Sequence, residues 1–221
     1  LSLQPEDSGF PCTQTRISFT PTAKEIVEVM AEHAKNEKKP VYSFGQGCEG
    51  EPLTEAGLIV EAVSKFRDQG GMGTVNVNTN ASLPGTIEPL ARAGLSSIRV
   101  SLASARPEPY AAYHRPVNYT FQDVLGTIKE AKKHGLFVSL NLFFFPGLSD
   151  AEQELAALQD LVGGLHVDFI QLRNLNLDPE IHLDVMKDFS FGPSMGLLNF
   201  KKRLKKACPW LEFGYFNPYL G

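Results

Sequence analysis

Cysteine is scarce in this sequence. Cys12, Cys48 and Cys208 stand far apart in a chain of 221 residues, too few and too scattered for a disulfide framework. No run approaches the ~20 apolar residues of a bilayer span, which gives no reason to expect a membrane partner. There is no basic excess either: 21 Lys and Arg stand against 25 Asp and Glu, a net charge of −4. A sequence-independent grip on nucleic acid needs a net basic surface and is not expected. The opening Leu1-Ser2-Leu3-Gln4 has neither Met nor signal-peptide character, and we read the chain as part of a longer protein. With its few thiols, that protein is expected in a reducing, soluble compartment, the cytoplasm. No linker or low-complexity tract interrupts residues 1–221, so one domain is expected. The balance of 43% hydrophobic to 21% charged residues is that of a globular protein.

What the chain does have is regular alternation. Thr22-Ala23-Lys24-Glu25 is a capping box ahead of Ile26, Val27, Met30, Ala31 and Ala34 on one helical face. Ser149-Asp150-Ala151-Glu152 repeats the device, and Thr120-Phe121-Gln122-Asp123 is a weaker copy. Further helices are expected near Glu55–Gln69, Thr86–Ala93 and Met195–Ala207. Asp178-Pro179-Glu180 reads as an N-cap and helix start. Several helices end at glycine (Gly70-Gly71, Gly94, Gly135) and pass directly into an apolar run. The runs are Val41–Phe44, Thr74–Asn78, Ser97–Ala103, Phe137–Phe144, Val167–Asn174 and Leu211–Phe216. Helix and strand in strict alternation make βαβ units and a parallel sheet.

Strand parity narrows the architecture. Val75 and Val77 alternate with Asn76 and Asn78; Ile98, Val100 and Leu102 with Arg99 and Ser101; Val138, Leu140 and Leu142 with Ser139 and Asn141; Ile170 and Leu172 with Gln171 and Arg173. Alternate residues face opposite sides of a sheet, so one face is polar. A doubly wound sheet would be apolar on both faces, and a closed eight-stranded barrel would have an apolar interior. The expected fold is α/β: a partial (β/α) barrel of TIM-barrel type, about six mostly parallel strands with helices outside and a polar ligand inside. Polar groups also gather at the strand C-terminal ends, where such barrels place their sites.

After the first strand stands Ser43-Phe44-Gly45-Gln46-Gly47-Cys48-Glu49-Gly50-Glu51-Pro52-Leu53. It has no dinucleotide or P-loop spacing. Glu-Gly-Glu-Pro between a strand and a helix resembles the Gly-Gly-Glu-Pro motif of radical S-adenosylmethionine (SAM) enzymes. The resemblance continues through Asn78-Thr79-Asn80, Ile98-Arg99-Val100-Ser101-Leu102, Asn141 with Pro146-Gly147, and Gln171-Leu172-Arg173-Asn174-Leu175. It implies that Glu49, Gly50, Glu51 and Pro52 receive the methionyl end of SAM, with Asn78 at the next strand end. It also implies that Ser101 bonds ribose or carboxylate, and that Asn141 and Arg173 reach polar parts of cofactor or substrate. Phe143, Phe144 and Phe145 offer an aromatic wall for adenine, or plain core packing.

The sequence departs from the family twice. Glu49 stands where the family has its first motif glycine, and the C-x-x-x-C-x-x-C motif that holds a [4Fe-4S] cluster is absent. The chain therefore offers no metal ligands, and the first barrel strand with its cluster loop is expected upstream of Leu1. In the parent protein, the resemblance implies reductive cleavage of SAM to a 5′-deoxyadenosyl radical that abstracts hydrogen from a small-molecule, peptide or protein substrate, with flavodoxin or ferredoxin as electron donor. This chain alone is expected to be inactive, and no catalytic residue is assigned. The alternative is a non-catalytic barrel that binds a nucleoside-like or phosphorylated ligand. His33, His114, His134, His166 and His182 lack ligand spacing; His182 is the one with a conceivable substrate-side role. Lys201, Lys202, Arg203, Lys205 and Lys206 read as a solvated helix face.

Overall fold

The computed structural model describes residues 19–45, 50–174 and 178–221. Six strands form one sheet: β1 (Val41–Phe44), β2 (Thr74–Thr79), β3 (Ser97–Leu102), β4 (Phe137–Phe143), β5 (Phe169–Arg173) and β6 (Glu212–Phe213). All neighbouring pairs are parallel, and spatial order equals chain order. The helices are α1 (Ala23–Asn36), α2 (Ala56–Asp68), α3 (Ile87–Ala93), α4 (Pro107–His114), α5 (Phe121–Lys133), α6 (Glu152–Leu165), α7 (Pro179–Met186) and α8 (Leu197–Ala207).

The strand order fixes the layers. Parallel crossovers are right-handed, so an order that never reverses carries its crossover helices on one face. A doubly wound sheet needs a reversal. Here β1 and β6 do not pair, and the sheet stays open. The core forms on the helix face, where Val75, Val77, Ile98, Val100, Val138, Leu140 and Ile170 are all fully buried. They pack with Ile59, Phe66, Leu90, Ile128, Leu155 and Phe200 from the surrounding helices. The opposite parity is polar, as expected from the sequence.

Local signals act as their chemistry dictates, with two exceptions. Thr22 with Glu25 and Thr120 with Asp123 both form reciprocal capping boxes. The Ser149–Glu152 box does not form. Ala151 is the N-cap of α6, Ser149 Oγ accepts from the Phe145 N–H at 2.9 Å, and Asp150 accepts from the Gly147 N–H and the Ser194 hydroxyl. The turn after β4 folds back and claims the side chains that would have capped. The second exception is α4, which has no apolar stripe to announce it. It starts with Pro107 in its first turn and stops at Arg115, whose φ of +46° is left-handed.

One side chain ties two of the βα units together. Arg67 at the end of α2 donates to the carbonyls of Gly71, Gly73 and Gly94 at 2.8–3.0 Å, joining the turn before β2 to the turn before β3. Only a planar guanidinium fork reaches all three. Arg67→Met should leave those carbonyls unpaired and cost about 2–4 kcal/mol, a fall in Tm of roughly 5–15 °C; Arg67→Lys should recover little of it. Thermal melts followed by circular dichroism check this, and an unshifted Arg67→Met transition would mean the fork is not formed.

Candidate functional site

Parallel register stacks the polar face into levels. At the lowest, Ser43, Asn76 and Ser97 lie side by side. Asn76 donates to Ser43 Oγ at 2.8 Å and accepts from the Ser97 hydroxyl at 2.8 Å. The next level aligns Asn78, Arg99, Ser139 and Phe169, and the third Ser101, Asn141 and Gln171. Arg173 beside Phe143 forms the top. Levels are two residues apart, about 6.6 Å at the rise of a strand.

The segment after β6 returns to this face. Asn217 Nδ2 donates to Ser43 Oγ at 2.9 Å, and the Leu220 N–H to Thr74 Oγ1 at 2.6 Å. The chain thus meets the polar groups of the lower part of the face itself. Higher up, the described residues meet the polar groups only in part. Among the described residues the Asn141 and Ser101 side chains have no hydrogen-bond partner, and Asn141 Oδ1 is wholly buried. Arg99 is 8% exposed. It donates through Nε to Ser139 Oγ at 3.4 Å and through Nη1 to Gln171 Oε1, while its buried Nη2 has no partner among the described residues. Burial first and repulsion from Arg173 second push the Arg99 guanidinium down to about 10.

At the strand tops the motif turn is pinned by Glu51. Its carboxylate accepts from the Leu53 N–H at 3.0 Å, from the Asn80 N–H at 2.7 Å and from the Thr79 hydroxyl. Leu53 is buried beneath, and Pro52 starts a short 3₁₀ turn. Gly45 has φ +74°, and a Cβ there would lie 2.4 Å from the Asn78 carbonyl oxygen. Only glycine lets the turn sit so close on β2. An aromatic roof stands over the end of β4. Phe143 stacks on Tyr113 (5.5 Å, 17°) and meets the edge of His182 at 4.9 Å, with Phe145 5.0 Å from the same imidazole.

The expected residues divide accordingly. Ser101, Asn141 and Arg173 come together on adjacent strands, with Arg173 exposed at the top. Asn78 lies one level lower and accepts from Asn76 Nδ2 at 3.1 Å. Gly50, with φ +116°, and Pro52 lie in the turn. The Glu51 carboxylate is engaged by the Leu53 and Asn80 amides and the Thr79 hydroxyl. Glu49, Cys12, Cys48 and Leu175 lie outside the described residues. Of the three phenylalanines, Phe144 packs in the core against Phe200, and Phe143 and Phe145 belong to the roof.

Sequence reading had placed Arg99 and Gln171 on the polar face without giving them a role; an arginine within a strand, on its polar parity, was the available signal. It missed Tyr113 altogether, because α4 was not foreseen. His182 is 3% exposed, its imidazole is held below its ordinary range by burial, and Nδ1 has no partner among the described residues. Beside it Glu154, its carboxyl raised by burial, accepts from the Ser104 hydroxyl at 2.8 and 2.9 Å. The space between them, about 10 Å³, is room for one water.

The face suits a zwitterionic nucleoside. Asn141 and Ser101, without side-chain hydrogen-bond partners among the described residues, and exposed Arg173 offer polar groups, with the aromatic Phe143 beside Arg173 in register. An iron–sulfur cluster is not suited. It needs three close thiolates, the sequence holds no such triplet, and the described Cys208 is buried in the core with its thiol pushed up by that burial.

Comparison with known proteins settles the family. The model of the radical SAM superfamily matches residues 6–158. The chain belongs to the radical SAM superfamily. It is 32% identical over 124 residues to a GTP 3′,8-cyclase of Petrotoga mobilis, covering 55% of this chain and 38% of that enzyme. The chain therefore spans well under half the length of this curated relative. Among solved structures, a radical SAM methyltransferase from Sphaerobacter thermophilus superposes with a TM-score of 0.59 at 18% identity, over 91% of this chain and 60% of that one. Streptococcus suis SuiB bound to S-adenosylmethionine gives 0.57 at 14%, over 89% and 44%. These likenesses identify the open sheet as the partial TIM barrel of radical SAM enzymes, and the family match favours the enzymatic reading over a non-catalytic barrel.

If Glu51 holds the motif turn, Glu51→Gln should speed hydrogen exchange at the Asn80 and Leu53 amides by roughly ten- to a hundredfold, the loss of one charge-assisted bond each. Exchange at Val100, in the core of β3, is the internal reference. Equal protection in variant and wild type would remove Glu51 from this role.

Proposed function

We propose that this chain is the cofactor- and substrate-binding part of a cytoplasmic radical SAM enzyme. S-adenosylmethionine lies across the strand C-terminal ends of its polar face. The observation that carries this is the third level: Ser101 and Asn141, adjacent in register, have no side-chain hydrogen-bond partner among the described residues, although Asn141 Oδ1 is fully buried. An acceptor left unpaired in a desolvated place is destabilising unless a ligand satisfies it. Ser101 and Asn141 would bond the ribose or the carboxylate, and Arg173 a more exposed oxygen. Backbone groups of Gly50, Glu51 and Pro52 would take the methionyl end, with Glu51 acting by positioning the turn and Asn78 by supporting it from below. Glu49 is proposed for the same turn.

Bound there, SAM supplies the hydrogen-abstracting chemistry of the family. The residues of this chain orient it, exclude water beneath the roof of Tyr113, Phe143 and Phe145, and hold the substrate within reach. The reducing [4Fe-4S] cluster that such chemistry requires is proposed to rest on ligands outside this chain, and to be reduced by a flavodoxin- or ferredoxin-like donor. The relatives' names span GTP cyclisation and methyl transfer, so the family leaves the substrate open among small molecules, peptides and proteins.

In the cluster-loaded parent protein, Ser101→Ala, Asn141→Ala and Arg173→Ala should each weaken SAM binding. One polar contact in a partly desolvated pocket is worth ~1–3 kcal/mol, or roughly five- to 150-fold in affinity. Lys202→Ala, on the exposed side of α8, should leave it unchanged. Equilibrium dialysis measures all four. Wild-type affinity in the three face variants, with folding intact, would overturn this cofactor placement.

A further inference from the structure

Arg99 is left over once the cofactor is placed. Its Cα lies one level below those of Ser101 and Asn141, and its side chain reaches through Nη1 to Gln171 of their level. It is more than nine-tenths buried, yet its described hydrogen-bond partners are the neutral oxygens of Ser139 and Gln171. Among the described residues no carboxylate pairs with it, and Nη2, with two N–H donors, has no hydrogen-bond partner. A buried cation without a counter-charge costs several kcal/mol, and the Coulomb field of Arg173 on the same side adds to that cost.

The two neutral bonds do more than satisfy donors. They fix the plane of the guanidinium from β4 and β5 and leave one end of the fork open. A rigid, partly engaged fork is pre-organised for a planar or tetrahedral oxyanion, which takes parallel N–H bonds and cancels the charge. Gln171 spends its Oε1 on Arg99, so its amide N–H groups remain as further donors beside the fork.

We propose that Arg99, oriented by Ser139 and Gln171, is the seat of an oxyanion carried by the substrate, a carboxylate or a phosphate group. This rests on Ser101, Asn141 and Arg173 holding SAM as proposed above; with the cofactor's polar groups met there, the anion at Arg99 is assigned to the substrate. The substrate is thus an acidic molecule that enters the polar face with its charged group at Arg99.

The test uses the parent protein at constant ionic strength, with inorganic phosphate and acetate as separate probes. One of the two should raise the wild-type Tm progressively, as a ligand of the folded state does, and which one tells phosphate from carboxylate. Arg99→Gln should weaken that probe about tenfold or more, whereas Arg99→Lys, which keeps the charge but not the fork, should give a response between wild type and Arg99→Gln and covers the case in which Arg99→Gln does not fold. SAM affinity, measured by dialysis, should stay within about twofold of wild type in the Arg99 variants. No response to either probe in wild type, or an undiminished response in Arg99→Gln, would overturn the proposal. Loss of SAM and anion binding together in Arg99→Gln would also overturn it, by assigning the guanidinium to the cofactor. Failure of the cofactor placement shows separately, as unchanged SAM affinity in the Ser101, Asn141 and Arg173 variants.

Discussion

Everything at the site follows from helices that cover one face of the sheet. Right-handed crossovers in an order that never reverses put every crossover on one side, and the apolar parity of each strand follows it there. The other parity is then free to be polar, and it is: serines, asparagines, a glutamine and two arginines stand on adjacent strands in register. In most parallel sheets a second helical layer would make such residues intolerable. Here, among the described residues, that layer is missing from the polar face, and lower down the chain's own segment after β6 satisfies part of it.

The polar face is not uniform, and its gradient is informative. Its lowest level is internally bonded, with Asn76 bridging Ser43 and Ser97. The middle level is half satisfied, with Arg99 bonded at Nε and Nη1 but open at Nη2. The third level bonds least, Ser101 and Asn141 meeting no described residue. Satisfaction falls toward the strand C-terminal ends, which is the direction in which α/β barrels open to their ligands. The motif turn follows the same logic in reverse. Glu51, in the turn that the sequence marks for the cofactor, uses its carboxylate as an internal acceptor from Leu53, Thr79 and Asn80.

A side chain's chemistry was legible in the sequence wherever its partner was close along the chain. The boxes at Thr22 and Thr120, the N-cap at Asp178, the left-handed Gly94 and the strand parities all depend on neighbours within a few residues. Partners from distant segments were not legible. Asp150 binds Ser194 rather than capping α6, Phe144 faces Phe200 while Phe143 faces Tyr113, and Arg67 reaches across to Gly94. Helix α4 escaped notice because its apolar residues do not share a stripe, though it supplies Tyr113 to the roof.

The sequence by itself determined the βα alternation, the polar parity and the Glu-Gly-Glu-Pro-Leu turn, because each is a short-range pattern with one physical solution. It thereby determined the class of fold and the family. Only the tertiary structure decided which polar groups are used up and which remain: Glu51 is taken by Thr79 and Asn80, whereas Asn141 and the outer end of Arg99 are not taken by any described residue. That distinction depends on which strands lie side by side and at what register, and hydrogen bonding between them is settled by geometry in space and not by proximity along the chain.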